Sequence, residues 1–221
     1  MEKIQAIFSV NTGRSGSQYL ARLLAAGKNC IAFHQPNPDG FGKTLAAYHQ
    51  GDERRMRDVA RAKYDFVENL SGKNLIYAET NHCFIKGFGW PLMEKMNASS
   101  VAIIILRRDP EKIVNSMIKV RSLPLSSTGR YYNLTPDRVN PIVSPPTLCG
   151  LTAVTSYRIG KLVALPEKVL AKVKVLLFGY PIRRYVPLRK YQERVIHWYL
   201  EETKALENQF KAKFPECKFI H

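Results

Sequence analysis

Apolar and polar positions fall into alternating blocks along the first half of the chain. IQAIFSV (4–10) and VAIIIL (101–106) are short apolar runs bounded by turn formers, as strands buried on both faces are. NCIAFH (29–34) and NLIYAET (74–80) read as two further strands. Between them the apolar spacing turns helical. SQYLARLLAAG (17–27) predicts a helix ending at a glycine, the stretch from Gly51 to Leu70 a second, and PLMEKMN (91–97) a short third. PEKIVNSMIKV (110–120) predicts a fourth, with proline in its first turn. Such alternation predicts an α/β protein: a mostly parallel sheet, right-handed crossovers and helices on both faces. Ligands of such sheets sit at the carboxyl ends of the strands.

The second half is less regular. Arg121 to Pro146 is rich in turn formers and has no period, and a loop of that length in a compact domain is functional or disordered. Residues 151–190 form a basic, partly amphipathic segment. It reads as a core helix with solvated lysines or as a patch for a membrane surface or an acidic substrate. KYQERVIHWYLEETKALENQF (190–210) predicts a long amphipathic helix, and ECKFIH (216–221) a last strand. We read 1–221 as one domain, with 121–187 as an irregular and helical cover over the site. No apolar run approaches the ~20 residues that span a bilayer, and MEKIQAIFSV reads as a strand rather than a leader, so a cytoplasmic protein is expected.

Charge changes this picture more than composition does. Lys+Arg 34 against Asp+Glu 18 leaves a net charge of +16, which points to anionic partners. Cys30, Cys83, Cys149 and Cys217 are scattered without metal-site spacing and read as isolated thiols. No metal is expected.

The candidate chemistry starts at TGRSGSQ (12–18), between the first strand and the first helix. Glycines for a tight turn, followed by the unpaired amides and positive dipole end of a helix, suit a phosphate or sulfate. The triphosphatase pattern GxxxxGKS/T is not met: Arg14 replaces the lysine and the magnesium-binding residues are out of register. At the end of the strand 101–106 stands Arg107-Arg108-Asp109-Pro110, where a triphosphatase would carry an aspartate for magnesium. Ser116 follows Arg108 by eight residues, well inside the next helix, and meets it only if the fold turns that face to the strand end.

Together these two motifs resemble the sulfotransferases that use 3′-phosphoadenosine 5′-phosphosulfate (PAPS). Thr12, Gly13, Arg14, Ser15, Gly16 and Ser17 match the family's loop for the 5′-phosphosulfate, with Arg14 at its basic position; Gln18 stands where a hydroxyl residue is common. Arg108, Asp109, Pro110 and Ser116 match its 3′-phosphate site, and YQERVIHWYLEE is similar to a helix of bacterial-type members. The resemblance implies a P-loop-like three-layer fold and sulfuryl transfer from PAPS, without metal, to a hydroxyl or amine. It implies a small-molecule, glycan or lipid acceptor and no nucleic acid. A sulfuryl group carries less charge than a terminal phosphoryl, so fixed cations and amide dipoles can stabilise its transfer.

A base must take the acceptor's proton, worth typically 10²–10⁴-fold. The resemblance offers the end of the second strand, where His34 stands, or that of the third, where Glu79 and His82 stand. We rank His34 ahead of Glu79, because imidazole needs little tuning near neutral pH whereas a carboxylate needs a raised pKa, and His82 third. His49 falls in a loop, and His197, beside Trp198, is expected to be packed. Two other readings stay open: a kinase using the same loop, which lacks Gly-Lys-Ser/Thr, and a non-catalytic module whose basic surface holds nucleic acid or anionic glycan.

Overall fold

The computed structural model describes residues 3–120, 122–124, 126, 129–148, 151–160, 162 and 188–221. At its centre lie β1 (Ala6–Val10), β2 (Cys30–His34), β3 (Ile76–Thr80), β4 (Val101–Ile105) and β5 (Lys218–Ile220), in the order β2-β3-β1-β4-β5. Every pairing is parallel, so the sheet is more regular than the expected mostly parallel one. The helices are α1 (Ser17–Ala25), α2 (Lys43–Tyr48), α3 (Arg54–Ser71), α4 (Cys83–Lys86), α5 (Gly89–Met93), α6 (Pro110–Val120) and α7 (Arg189–Lys213). With helices on the sheet, this is a three-layer α/β fold.

Side chains alternate along each strand, and parallel register aligns them into rows. Phe8 pairs with both Glu79 and Ile103, so one row of one face carries all three. On that face Phe8 stacks on Phe84 of α4 at 4.8 Å, and Phe84 meets Phe210 of α7 edge-on at 5.4 Å. Phe8, Ile103, Phe84 and Phe210 are fully buried, each worth about 1.5–3 kcal/mol of transfer free energy. This core fixes the carboxyl ends of β1, β3 and β4, from which the loops at 11–16, 81–82 and 106–109 depart.

Three expectations change. PLMEKMN (91–97) is not one helix: α5 ends at Met93. The short helices α2 and α4 stand where no helix was expected, and His49 closes α2 as a fully buried residue donating through Nε2 to the Lys86 carbonyl at 3.1 Å. His197 is not packed, because its half-exposed ring faces Glu111 at 3.4 Å while Trp198 turns inward. Residues 153–160 of the basic segment are helical, whereas 163–187 and Cys149 lie outside the described residues. Cys30, Cys83 and Cys217 are free thiols. Among the described residues no helix is long and apolar enough to cross a membrane.

Candidate functional site

The loop that follows β1 is held from below by its own side chains. Ser9 donates to the Asn11 carboxamide at 2.7 Å, and Asn11 donates to the Thr12 carbonyl at 3.1 Å. The Ser15 hydroxyl donates to the same carbonyl at 2.7 Å, which closes the turn and leaves Ser15 only its amide for a ligand. Arg14 at φ 70 and Gly16 at φ 96 both adopt the left-handed region. That conformation costs roughly 1–2 kcal/mol for Arg14 and almost nothing for Gly16. Successive amides curled in this way form a concave donor surface. Among the described residues the amides of Arg14, Ser15, Gly16, Ser17 and Gln18 donate to no protein acceptor, and Gly16 caps α1 without a side-chain bond. Gly13 is the exception; its amide donates to the Tyr199 hydroxyl at 3.2 Å.

Two arginines close on this loop. Arg108, just beyond β4, donates through Nη1 to the Arg14 carbonyl at 2.6 Å, and Arg14 Nε donates to Ser116 Oγ at 3.1 Å. The fold therefore does turn Ser116 toward the strand end. Asp109 accepts the Lys112 amide at 2.9 Å, capping α6 just ahead of Pro110, and so sets the angle at which α6 carries Ser116 inward. Neither Arg14 nor Arg108 meets a carboxylate among the described residues. Arg107, one position earlier, is instead held by Glu207 at 2.7 Å.

A cleft of about 510 Å³ opens in front of the loop, lined by Gly13, Arg14, Gly16, Ser17, Gln18 and Arg108 on one side. His34, His82, Tyr132 and Asn133 line the rest. Thr12 instead borders a neighbouring cleft of about 390 Å³ that it shares with Arg107, Arg108 and Lys204. Of the irregular stretch 121–150, Ser122, Tyr132 and Asn133 reach the first cleft. Arg138 does not, being paired with buried Glu202, and the Arg130 side chain is outside the described set.

The three base candidates part company here. Glu79 is 1% exposed, does not line the cleft, and accepts from Lys63 at 2.7 and 2.8 Å, Tyr77 at 2.5 Å and Asn81 at 2.9 Å. A carboxylate with every lone-pair direction engaged by buried partners is an element of the core, not a base at this cleft. His34 and His82 do line it. Thr80 Oγ1 donates to the Phe33 carbonyl at 3.4 Å, so it accepts from His34 Nδ1 at 3.1 Å, which leaves a lone pair on His34 Nε2. Burial lowers the His34 pKa below its ordinary value, keeping the ring neutral. His82, buried and packed against Phe41 with ring centroids 4.5 Å apart and planes tilted by 39°, is lowered well below its ordinary value, by burial first and then by the neighbouring Lys86 and His34, which disfavour a second positive charge.

Reading the sequence missed Lys86 and Tyr199. Lys86 is fully buried beneath the loop, donating to Tyr132 O at 2.8 Å and to Tyr199 Oη at 3.3 Å and touching His82 Nδ1 at 2.5 Å. Burial pulls its pKa down from 10.5 to about 7. One signal was available: His82 and Lys86 are four residues apart, one helical turn. Among the described residues no group of His, Cys, Asp and Glu is spaced to hold a metal ion.

Fold and site thus define a class: an all-parallel α/β protein with a donor-rich, cation-flanked loop at the carboxyl end of its central strand. No family model matches the chain, and no curated protein or solved structure matches it.

Proposed function

We propose that the chain is a sulfotransferase that moves a sulfuryl group from PAPS to a hydroxyl or amine of an acceptor. The observation that carries this reading is the convergence of Arg14, Arg108 and Ser116 on five unpaired loop amides at the ends of β1 and β4. One basic group per phosphate, without a carboxylate to share it, suits a nucleotide phosphorylated at both its 3′ and 5′ positions better than a triphosphate chelated to magnesium. The amides from Arg14 to Gln18 hold the 5′-phosphosulfate, and Arg108 with Ser116 the 3′-phosphate. His34 Nε2 takes the acceptor's proton as the new sulfur–oxygen or sulfur–nitrogen bond forms. Arg14 neutralises the bridging oxygen that leaves with the electron pair on the 5′-phosphate.

The test is a comparison of adenosine 3′,5′-bisphosphate with ATP and magnesium in thermal-shift measurements, because a ligand of the folded state raises its apparent stability. The bisphosphate alone should raise the melting temperature. In Arg14→Ala and in Arg108→Ala its affinity should fall by about 100-fold, as for loss of a hydrogen-bonded charge partner. A larger shift with magnesium and ATP, or unchanged bisphosphate binding in both variants, overturns the reading.

A further inference from the structure

The cleft holds two histidines, and their proton states need not be alike. Lys86 Nζ has three neighbours that can accept: His82 Nδ1 at 2.5 Å, the Tyr132 carbonyl at 2.8 Å and the Tyr199 hydroxyl at 3.3 Å. An ammonium has three N–H donors and no lone pair, so three acceptors match it completely. The Tyr132 carbonyl can only accept, and Tyr199 Oη already accepts the Gly13 amide at 3.2 Å. Donor and acceptor count then leaves His82 Nδ1 as the bare nitrogen and puts the ring proton on Nε2. That atom has no protein partner among the described residues, on a ring that lines the cleft. His34 is the reverse, with its proton on Nδ1 toward Thr80 and a lone pair on Nε2.

We propose that Lys86 is a positioning residue that fixes the proton of His82, so that His82 enters the cleft as an N–H donor beside the proton-accepting His34. Through Tyr199 the same ammonium braces the loop at Gly13, which ties the geometry of the anion site to the tautomer in the acceptor cleft. The inference rests on the sulfotransferase reading for its consequence, which concerns the acceptor. A hydroxyl can give its proton to His34 and accept one hydrogen bond from His82. A protonated amine can accept nothing, and it would enter among Arg14, Arg108 and Lys86. The cleft therefore selects a neutral hydroxyl as the sulfuryl acceptor.

The test reads the ring nitrogens directly, by NMR of the full chain carrying ¹⁵N-histidine, below a pH of about 7 where Lys86 holds its proton. In the wild type His82 should show a protonated Nε2 and a bare Nδ1, and His34 the opposite. Lys86→Met should populate the Nδ1–H form of His82 while His34 stays as it was. Lys86→Gln, which retains an N–H donor, should restore the wild-type pattern. A wild-type His82 protonated on Nδ1, or a folded Lys86→Met with an unaltered His82, overturns the assignment. Where Lys86→Met does not fold, Lys86→Gln decides: a His82 pattern unlike the wild type overturns it. Bisphosphate binding is measured on the same samples. Failure to bind removes the sulfotransferase reading and leaves the tautomer result standing, whereas binding with the wrong tautomer removes only the role of Lys86.

Discussion

Lys63 and Lys86 are each 2% exposed, on helices that pack against the same sheet, yet their surroundings differ in kind. Lys63 meets the Glu79 carboxylate with both of its oxygens, while Lys86 meets only an imidazole, a carbonyl and a phenol. The same division separates the arginines. Arg138 is paired with Glu202 and Arg107 with Glu207, whereas Arg14 and Arg108 touch a serine and a carbonyl. Of these six cations, Lys63, Arg107 and Arg138 carry a counter-charge and serve the fold, whereas Arg14, Arg108 and Lys86, which meet no carboxylate among the described residues, lie around or beneath a single loop. A buried charge without its opposite costs free energy that folding alone gives no reason to spend. That cost falls on Lys86 alone, since Arg14 and Arg108 are exposed, and the gathering of all three at one loop is what points to a site for an external anion.

The comparison breaks most sharply at Glu79. Glu79→Ala leaves the Lys63 ammonium in the core without a partner, and the loss of one member of a buried pair costs about 3–5 kcal/mol. Chemical denaturation should register that loss, with bisphosphate binding unchanged at temperatures where the variant is folded. A loss of under about 1 kcal/mol would show that this pair is not structural.

Lys86 should behave in the opposite sense. Its pKa falls from 10.5 to about 7 on folding, so between those values the unfolded chain binds more protons and stability rises with pH. The rise should reach about 2 kcal/mol between pH 7 and pH 9, and Lys86→Met should lack it. The difference between the two denaturation series isolates Lys86 from the buried tyrosines, whose raised pKa values act in the other direction only as the pH rises through the ordinary phenol value of 10. Equal slopes in the two proteins would mean that Lys86 stays charged in the fold.

How far this division was visible in the chain can be judged residue by residue. The sheet was legible because buried parallel strands are continuous apolar runs, and VAIIIL contains no polar residue at all. The loop and the Arg-Asp-Pro turn were legible because glycine, proline and a capping aspartate act locally. The fate of Glu79 was written less openly. It lies on the same, core-facing side of β3 as Tyr77, two residues earlier, and Lys63 falls in the buried stripe Met56, Val59, Ala60, Val67, Leu70 of α3. A lysine inside an apolar stripe and a glutamate on an inward-facing row are each other's explanation, but their pairing is a long-range contact that neither segment specifies. The helices α2 and α4 have 6 and 4 residues, too short for a hydrophobic period to emerge. The Lys86 cluster draws on α4, α7 and the irregular stretch at 132, so only the folded chain assembles it.

The smallest expected effect is also the finest test of the division, because Arg107 and Arg108 are adjacent. Arg107 is half-exposed and held by Glu207, which also accepts from Lys211 at 2.9 Å. Arg107→Ala therefore leaves Glu207 one partner and should cost about 0–1 kcal/mol of stability. If a counter-charge marks a cation as structural, Arg107→Ala should change bisphosphate affinity by no more than about 3-fold at moderate salt, where long-range attraction is screened. Arg108→Ala should lose about 100-fold under the same conditions. Titration of both variants with adenosine 3′,5′-bisphosphate checks this. Comparable losses would mean that the net positive field, rather than one unpaired arginine at the end of β4, draws the nucleotide in.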